Sequence, residues 1–430
     1  MIRFYYLSFF LSLTALTAVA DEYTDPVSNV VYTYDPEGDK AMVKTRPYYQ
    51  DEDAATRLSG ITGYPLNDYG VHGDVSILSH FIVNGKEYMV TEIGEGAFYY
   101  NSLITSVILP ETLESIGSNA FQLCVGLKSV AISSTSTLKH IGGGAFGACS
   151  SLVDITIPES IETIESSAFY GCRNLKSVHI PATVKRIGDD VFCRCESLLS
   201  ITVDEANTVY DSREGCNAII NSSTNMLIVG CSTTTIPSSV TAIGDHAFRN
   251  QGVSSMVIPG TVKTIGNYAF SGCGNLGNVT LCEGIESIGN QSFNNTSIAE
   301  LTIPASVNSI GEYAFGGDKL SAITSLILEP FVVIRICDFD YTKPTLYVPK
   351  GYKKKYEACS GWNLFNKIEE MEVTGIGGAP HLNDNVEMIN DKRNGVYDLQ
   401  GRKINAQCTM HNAQLKKGIY IRDDRKMVVK

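Results

Sequence analysis

A six-residue motif recurs along this chain and constrains its fold more than any other feature. The motif Ile-Gly-x-x-Ala-Phe begins at residues 93, 116, 141, 187, 243, 265, 288 and 310, with Val191 and Ser292 replacing the alanine in two copies. A ninth copy at residues 164–169 has Glu165 in place of the glycine. Its phenylalanines follow one another at steps of 22 to 25 residues, apart from one step of 56 that we interpret as a divergent pair of coils. Self-similarity at so short a period predicts a solenoid in which each repeat forms one coil.

Each coil also carries the signature of a short strand. Between the motifs, apolar and polar residues alternate and the alternation ends at a proline, as in Ile155-x-Ile157-Pro158. A period of two predicts a strand with one buried face, and the proline ends it because proline cannot donate a hydrogen bond to a ladder. One such coil cannot bury its apolar face alone, so we expect neighbouring coils to cover it.

The combined pattern, Ala-Phe-x-x-Cys-x-x-Leu-x-x-Ile-x-Ile-Pro-x-x-Ile-x-x-Ile, resembles the BspA-like leucine-rich repeat of bacterial surface proteins. The resemblance covers about residues 73–371. It implies a β-rich leucine-rich-repeat solenoid, with short parallel strands and helical turns in each coil. It also implies a non-enzymatic function, because relatives with this repeat are adhesins and proteins that bind host matrix or other cells.

The chain divides into six predicted regions. They are a signal peptide at 1–20, an N-terminal β cap at 21–90, the solenoid at 91–336 with an irregular insert at 204–231, a C-terminal cap at 337–371, a linker at 372–394 and a β tail at 395–430. The first region has one early charge, an apolar stretch and a small-x-small end at Ala20, which is typical of a secretory signal. A retained membrane anchor is the alternative, but the stretch falls short of the ~20 residues that span a bilayer. We therefore expect a secreted or outer-surface protein, processed near Ala20.

The two ends of the solenoid carry features of caps. A hairpin is predicted at residues 81–90, with Asn84-Gly85 as its turn. In the C-terminal cap, Trp362 is expected to be core rather than a platform for stacking sugars. The tail after residue 395 is similar to the sorting tails of exported Bacteroidetes proteins, although it is shorter. Surface delivery or retention and a plain structural appendage are both open for it.

The cysteines give two predictions. The insert has the pattern of a protruding hairpin in which Ile220 pairs with Leu227, and this register places Cys216 opposite Cys231. A disulfide between them is a hypothesis, with two reduced thiols as the alternative. Five further cysteines each follow a repeat phenylalanine by three residues, and we expect a buried ladder of reduced thiols: Cys124, Cys149, Cys172, Cys195 and Cys273.

Composition and motifs argue against several functions. With 34 basic and 46 acidic side chains the formal net charge is -12, which disfavours binding to nucleic acid. The sequence has no Gly-x-Ser-x-Gly, His-Glu-x-x-His, Walker or Cys-x-x-Cys motif, and its seven histidines are scattered. Gly-x-Gly-x-x-Gly at residues 142–147 is one copy of the repeat. We expect no catalytic residue, no metal and no cofactor.

The outward positions of the strands form the candidate binding surface, because alternate residues of a strand point away from the core. These side chains are mostly small and neutral: Ser106, Ser129, Asp154, Thr156, Ser177, His179, Ser200, Thr202, Ser255, Asn278, Thr280, Glu300 and Thr302. Such a low surface suits a protein ligand, our first prediction. A glycan ligand and a structural envelope spacer are the alternatives, and small β-forming residues also simply suit a crowded parallel sheet. We expect a monomer.

Overall fold

A computed structural model describes residues 21–44, 71–337 and 341–372, together with four strands of the tail. The predicted signal peptide, and the predicted linker from residue 373 onward, lie outside these residues. The described chain forms a β-solenoid of about 12 turns, which confirms the predicted fold class. Each coil has three sides, formed by a longer strand, a two-residue strand and the turn that carries Ala-Phe.

The N-terminal cap is a small arrangement of antiparallel and parallel strands added to the first coil. Its strands are Asp21–Thr24, Val31–Tyr34, Lys40–Val43, Gly73–Ser76, His80–Val83 and Lys86–Ile93. The last two pair as an antiparallel hairpin. Asn84 and Gly85 both have positive φ, as a tight hairpin turn requires, so the predicted hairpin is confirmed. Strand Lys86–Ile93 then pairs in parallel with Lys40–Val43 on one edge and Ser115–Ile116 on the other, and so joins the cap to the solenoid.

One side of the solenoid, which we name the strand face, consists of the longer strands. They are Ile104–Leu109, Ser129–Ile132, Ser177–Ile180, Ser200–Val203, Ser255–Ile258, Asn278–Leu281, Glu300–Ile303 and Ala322–Ser325. Their inward residues, such as Val178 and Ile180, are buried, whereas Ser177 and His179 between them are exposed. These strands belong to four separate sheets, and within each sheet neighbouring strands of this face pair in parallel and in register. The apolar residues of the alternating pattern predicted from the sequence therefore lie in the core, and the polar residues between them face solvent.

The second side, the short-strand side, consists of two-residue strands that end at the isoleucine of the motif. They are Ser115–Ile116, His140–Ile141, Thr163–Ile164, Arg186–Ile187, Ala242–Ile243, Thr264–Ile265, Ser287–Ile288 and Ser309–Ile310. The glycine that follows lies against the preceding coil. A Cβ atom on Gly266 would lie 2.5 Å from the backbone nitrogen of Asp245. Most copies of the motif have glycine here because the two backbones approach closely, although the copy with Glu165 accommodates a side chain.

The third side, the Ala-Phe turn, has an alternating backbone. The residues two before and two after each repeat phenylalanine all have positive φ: Gly96, Asn119, Gly144, Ser167, Asp190, His246, Tyr268, Gln291 and Tyr313 before it, and Tyr100, Leu123, Ala148, Gly171, Arg194, Asn250, Gly272, Asn295 and Gly317 after it. Alternate N–H groups donate to the next coil, as from Phe121 to the Ala145 oxygen at 2.7 Å. The intervening ones close four-residue turns, as from Gln122 to the Asn119 oxygen at 3.1 Å. This alternation replaces the helical turns that the family resemblance implied.

Phenylalanine rings fill the interior beneath these turns. The rings from Phe98 to Phe192 stack face to face with centroids 5.0 to 5.5 Å apart. A second stack runs from Phe248 to Phe315 with spacings of 4.7 to 5.8 Å. All of these rings are fully buried. Each coil thus supplies the lid for the ring of its neighbour, as expected of a unit that cannot fold alone.

The predicted thiol ladder is confirmed and has a bonding role. Each of the five cysteines is buried and unbridged. Each thiol lies within hydrogen-bond distance of the phenylalanine carbonyl of the preceding coil, as Cys172 does of the Phe146 oxygen at 3.2 Å. In one coil without a cysteine the Gln251 amide occupies this position and donates to the Phe192 oxygen at 2.7 Å. The position three residues after the phenylalanine therefore holds a side chain, cysteine or glutamine in these coils, that can donate a hydrogen bond to the carbonyl of the preceding coil.

The insert is built into the stack, so the predicted protruding hairpin is wrong. Its strands are Tyr210–Asp211, Ala218–Asn221 and Met226–Gly230, and a 3-10 helix occupies Arg213–Gly215. The last two strands do form an antiparallel hairpin. The hairpin then pairs in parallel with Ala242–Ile243 and continues the short-strand side. Ile219, Ile220 and Leu227 are fully buried, because an apolar hairpin gains more from joining the core than from projecting into water.

The hypothesis of a Cys216–Cys231 disulfide is also wrong, since both thiols are free. Ile220 pairs with Leu227 as predicted, but the register shifts at the next step and Ala218 lies opposite Gly230. A shift of one residue turns a side chain to the other face of a sheet. Accordingly, Cys216 packs into the C-terminal core and Cys231 into the N-terminal core.

The C-terminal cap closes the solenoid with two more parallel strands, Thr345–Pro349 and Lys367–Met371. Between them lie the α-helix Lys353–Ala358 and the 3-10 helix Trp362–Leu364. Trp362 is fully buried, its indole N–H donates to the Phe331 oxygen at 2.9 Å, and its ring meets Tyr356 edge-on. Its predicted place in the cap core is confirmed.

The described part of the tail forms two antiparallel pairs. Strand Val396–Tyr397 pairs with Lys403–Ile404, and Gly418–Arg422 pairs with Arg425–Val429. A sorting function for the tail stays a prediction. Among the described residues, no helix has the length and apolar character needed to cross a membrane.

The repeat glycine offers a direct test of coil packing. We expect Gly266→Ala to lower the free energy of unfolding by about 1–3 kcal/mol, because the new methyl group would overlap the backbone of the preceding coil. Urea denaturation measures this change. Gly274→Ala is the control, since a Cβ there meets nothing within 4 Å. Equal midpoints for the two variants would contradict the packing argument.

The thiol ladder predicts a loss of stability in alkali. Burial raises the pKa of Cys172 from its ordinary value of 9.0 to about 12. As the pH rises above 9, the unfolded thiol loses its proton while the folded thiol keeps it. The contribution of this thiol to the free energy of unfolding is therefore complete below pH 9 and falls as the pH rises towards 12. The expected slope is about 1.4 kcal/mol per pH unit from this thiol.

The comparison of wild type with Cys172→Ser isolates that contribution, because serine can still donate to the Phe146 oxygen but does not titrate in this range. Urea midpoints measured from pH 8.5 to 10.5 should fall less steeply for the variant. If the urea midpoints of wild type and variant fell equally steeply with pH, burial would not be holding the proton on the Cys172 thiol in the folded chain.

Candidate binding surface

The predicted surface residues lie on the outside of the solenoid, and all of them except Asp154 and Thr156 are on strands of the strand face. Most are exposed, while Ser106 and Ser200 are half-buried. Ser106 donates to the Asp74 carboxylate at 2.6 Å, and this hydrogen bond, joined by one from Thr105, holds the pKa of Asp74 below its usual range. The sequence therefore located the outward positions, while their role in binding stays a prediction.

The predicted residues come together in blocks rather than in one continuous ladder. Ser106 lies beside Ser129, Ser177 beside Ser200, and Ser255 beside Asn278. The segment with Asp154 and Thr156 is extended but outside the paired strands. It follows a coil of 25 residues between phenylalanines, two longer than its neighbours. Further gaps fall at the insert and between the strands Asn278–Leu281 and Glu300–Ile303. The gap at the insert divides the surface into an N-terminal and a C-terminal portion.

The C-terminal portion contains a groove of about 650 Å³, which we name the hydroxyl groove. Its outward-facing lining includes Thr280, Glu300, Thr302, Thr324 and Tyr347. Three of these were predicted from the sequence. Thr302, Thr324 and Tyr347 form one row across three paired strands. Small Ala322 lies between Glu300 and Thr345 in the parallel row, which leaves the surface low at its centre.

The chemistry of the groove is polar and adaptable. Threonine hydroxyls both donate and accept hydrogen bonds, and Tyr347 adds an aromatic ring with a hydroxyl end. Glu300 supplies a carboxylate on one side. Beyond Tyr347, the row continues to Glu369, which is bonded to Lys367 at 3.0 Å. Such a lining can hold the backbone and polar side chains of a partner without a deep apolar pocket.

Thr324 and Tyr347 were missed because the last coils lack the Ile-Gly-x-x-Ala-Phe motif. The available signal was the alternation of Ile323 with Thr324 and of Leu346 and Val348 with Tyr347. Both segments prove to be strands of the same face.

A second cluster lies on the N-terminal portion of the strand face. Glu159, His179 and Asp204 come from three successive coils, and their ligand-type atoms all lie within 4.8 Å of one another. His179 is also 2.9 Å from the Thr202 hydroxyl, through its Nδ1 atom. The sequence predicted His179 only as an exposed surface residue. The three residues are not at equivalent positions of their coils, because Thr202 rather than Asp204 lies opposite His179, so comparison of equivalent positions would not have grouped them.

The repeats match the BspA type leucine-rich repeat region over residues 90–217 and 218–325, more than half of the chain. The chain belongs to the BspA-type leucine-rich-repeat family. In this BspA-type protein the match spans the coils on both sides of the insert, together with the insert itself. No curated protein is significantly similar to the chain.

Solved structures share the solenoid. The pneumococcal vaccine antigen PcpA aligns with a TM-score of 0.57 at 18% identity, over 83% of this chain and all of its own. A leucine-rich cell surface protein of Faecalibacterium prausnitzii aligns with a TM-score of 0.42 at 25% identity, over 81% of this chain and 94% of its own. A leucine-rich repeat protein of Bacteroides ovatus aligns with a TM-score of 0.40 at 20% identity, over 81% of this chain and 100% of its own. At this identity the PcpA alignment shows a common fold alone.

Proposed function

We propose that this BspA-type protein is secreted or displayed at the cell surface and binds a protein partner through the strand face, with the hydroxyl groove as the centre of contact. The observation that carries the proposal is the groove itself. Glu300, Thr302, Thr324 and Tyr347 stand on paired strands of one sheet, Thr280 lies on the strand of the preceding coil, and these side chains line the outer side of the groove.

Rigidity supports binding at this place. The strands Glu300–Ile303, Ala322–Ser325, Thr345–Pro349 and Lys367–Met371 form a continuous parallel sheet. The threonine side chains of the groove carry few rotatable bonds, so little conformational entropy would be lost when a partner orders them on binding. Tyr347 is the residue best suited to anchor the contact, because tyrosine is enriched among the side chains that dominate binding energies.

Adhesion to host matrix or to other cells is the activity we infer for such a surface. The support is the BspA-type repeat, because the family resemblance implies a surface protein that binds host matrix or other cells. The apolar first 20 residues support export, and the strand-forming tail is a candidate for retention at the surface. In this proposal the chain has no catalytic role and needs no cofactor.

The groove is tested by the double variant Thr302→Arg/Thr324→Arg. Two long cations would fill the low centre of the groove and hold a partner off the sheet. We expect binding of the full chain to an immobilised matrix protein to weaken at least about tenfold, which corresponds to about 1.4 kcal/mol. Surface plasmon resonance against panels of matrix proteins and polysaccharides measures this.

Thr264→Arg is the matched control, since Thr264 is an exposed threonine on the short-strand side. It should bind as the wild type does. Equal weakening by the control would contradict a role for the groove. Binding to polysaccharides but not to proteins would overturn the proposed partner class and favour the glycan alternative.

A further inference from the structure

We propose that Glu159, His179 and Asp204 form a binding site for a divalent transition-metal ion such as Zn²⁺. The site lies on the N-terminal portion of the strand face, in different coils from the hydroxyl groove. Neither the repeat family nor the proposed partner binding requires it.

The parallel stacking of the coils brings the three ligands together. Glu159 follows Pro158, at the end of the extended segment of one coil. His179 points outward from strand Ser177–Ile180 of the next coil, and Asp204 directly follows strand Ser200–Val203 of the third. Their ligand-type atoms lie within 4.8 Å of one another. Bonds of about 2.0–2.2 Å to a tetrahedral ion need these atoms roughly 3.4 Å apart, so the proposal requires the exposed side chains to rotate towards the ion when it binds.

Thr202 orients the imidazole. It lies directly beside His179 in the register of the two strands, and its hydroxyl oxygen is 2.9 Å from Nδ1. When this hydroxyl accepts a hydrogen bond from the Nδ1 proton, the free lone pair of the imidazole lies on Nε2. Histidines that bind metals are commonly fixed through their other ring nitrogen in this way. The threonine therefore acts as a positioning residue for the site.

The charges also favour a cation. Glu159 and Asp204 bring two carboxylates close together, and like charges repel unless a positive charge lies between them. Nearby, Lys185 pairs with Glu162 and Arg173 pairs with Glu196. These two ion pairs therefore involve carboxylates other than those of Glu159 and Asp204. Asp204 Oδ1 accepts from the Ala206 N–H at 2.8 Å, which fixes the carboxylate on its loop.

The ligand set selects the type of ion. One imidazole nitrogen and two carboxylate oxygens suit Zn²⁺ and similar ions. Ca²⁺ takes six to eight oxygen ligands and would gain little from the histidine. With three protein ligands, one position stays open for water or for a side chain of a bound partner.

The experiment titrates the chelator-treated full chain, without a histidine tag, with Zn²⁺ by isothermal titration calorimetry. We expect one ion per chain, no such binding by His179→Ala, and affinity reduced by about 10–100-fold in Thr202→Val. His140→Ala is the matched control, because His140 is an exposed strand histidine on the short-strand side. It should bind Zn²⁺ as the wild type does.

Thermal melts of each variant without metal check that the fold is intact. In the wild type, Zn²⁺ should raise the melting temperature, and it should leave that of His179→Ala unchanged. Unaltered Zn²⁺ affinity in His179→Ala would overturn the proposal, as would the absence of binding by the wild type. Tighter binding of Ca²⁺ than of Zn²⁺ would overturn the assigned metal class.

Discussion

The fold depends on the hydrogen bonds that pass from coil to coil through the Ala-Phe turns. Alternate N–H groups reach the neighbouring coil only because residues on both sides of the phenylalanine have left-handed backbones. Most of these residues are not glycine, and each then costs roughly 1–2 kcal/mol of backbone strain. The strain is tolerated because the turn leaves its N–H groups bonded and places the phenylalanine ring on the ring of the next coil. The same close approach explains the glycine of Ile-Gly, which leaves room for the adjoining backbone.

Interruption of this ladder has consequences for the surface. Between Phe192 and Phe248 the insert takes the place of a regular coil, and the Gly230 N–H donates to the Ala247 oxygen. Side chains then connect the two halves: Gln251 reaches the Phe192 oxygen, and Asp190 lies 3.2 Å from His246 and 3.4 Å from Arg249. The buried residues divide into two clusters at this junction. The strand face is divided at the same place, which is why the hydroxyl groove and the His179 cluster lie on separate portions.

Much of the solenoid was predictable because equivalent positions of successive coils meet. Phe146, for example, stacks on Phe169 of the next coil, so a pattern repeated in sequence reports directly on packing. The insert lacks that redundancy. Its apolar strands predicted a hairpin, but the one-residue register shift near Ile219 depends on how the hairpin joins the neighbouring core, and this shift separates Cys216 from Cys231. Tyr347 was missed for a related reason, since the final coils keep the strand but lose the motif that marked it.

The candidate sites follow a different rule from the core. Core positions repeat along the chain because each must match its neighbour, whereas outward positions are free to vary from coil to coil. Function therefore arises in rows that run across the strands, such as Thr302, Thr324 and Tyr347, or His179 beside Thr202. The members of a row are separated by about one repeat in sequence but by only the ~4.8 Å between strands in space. A motif search along the chain cannot detect such a row. Once the coil register is known, the outward residues can be compared across coils, and their chemistry identifies the places where a ligand can bind.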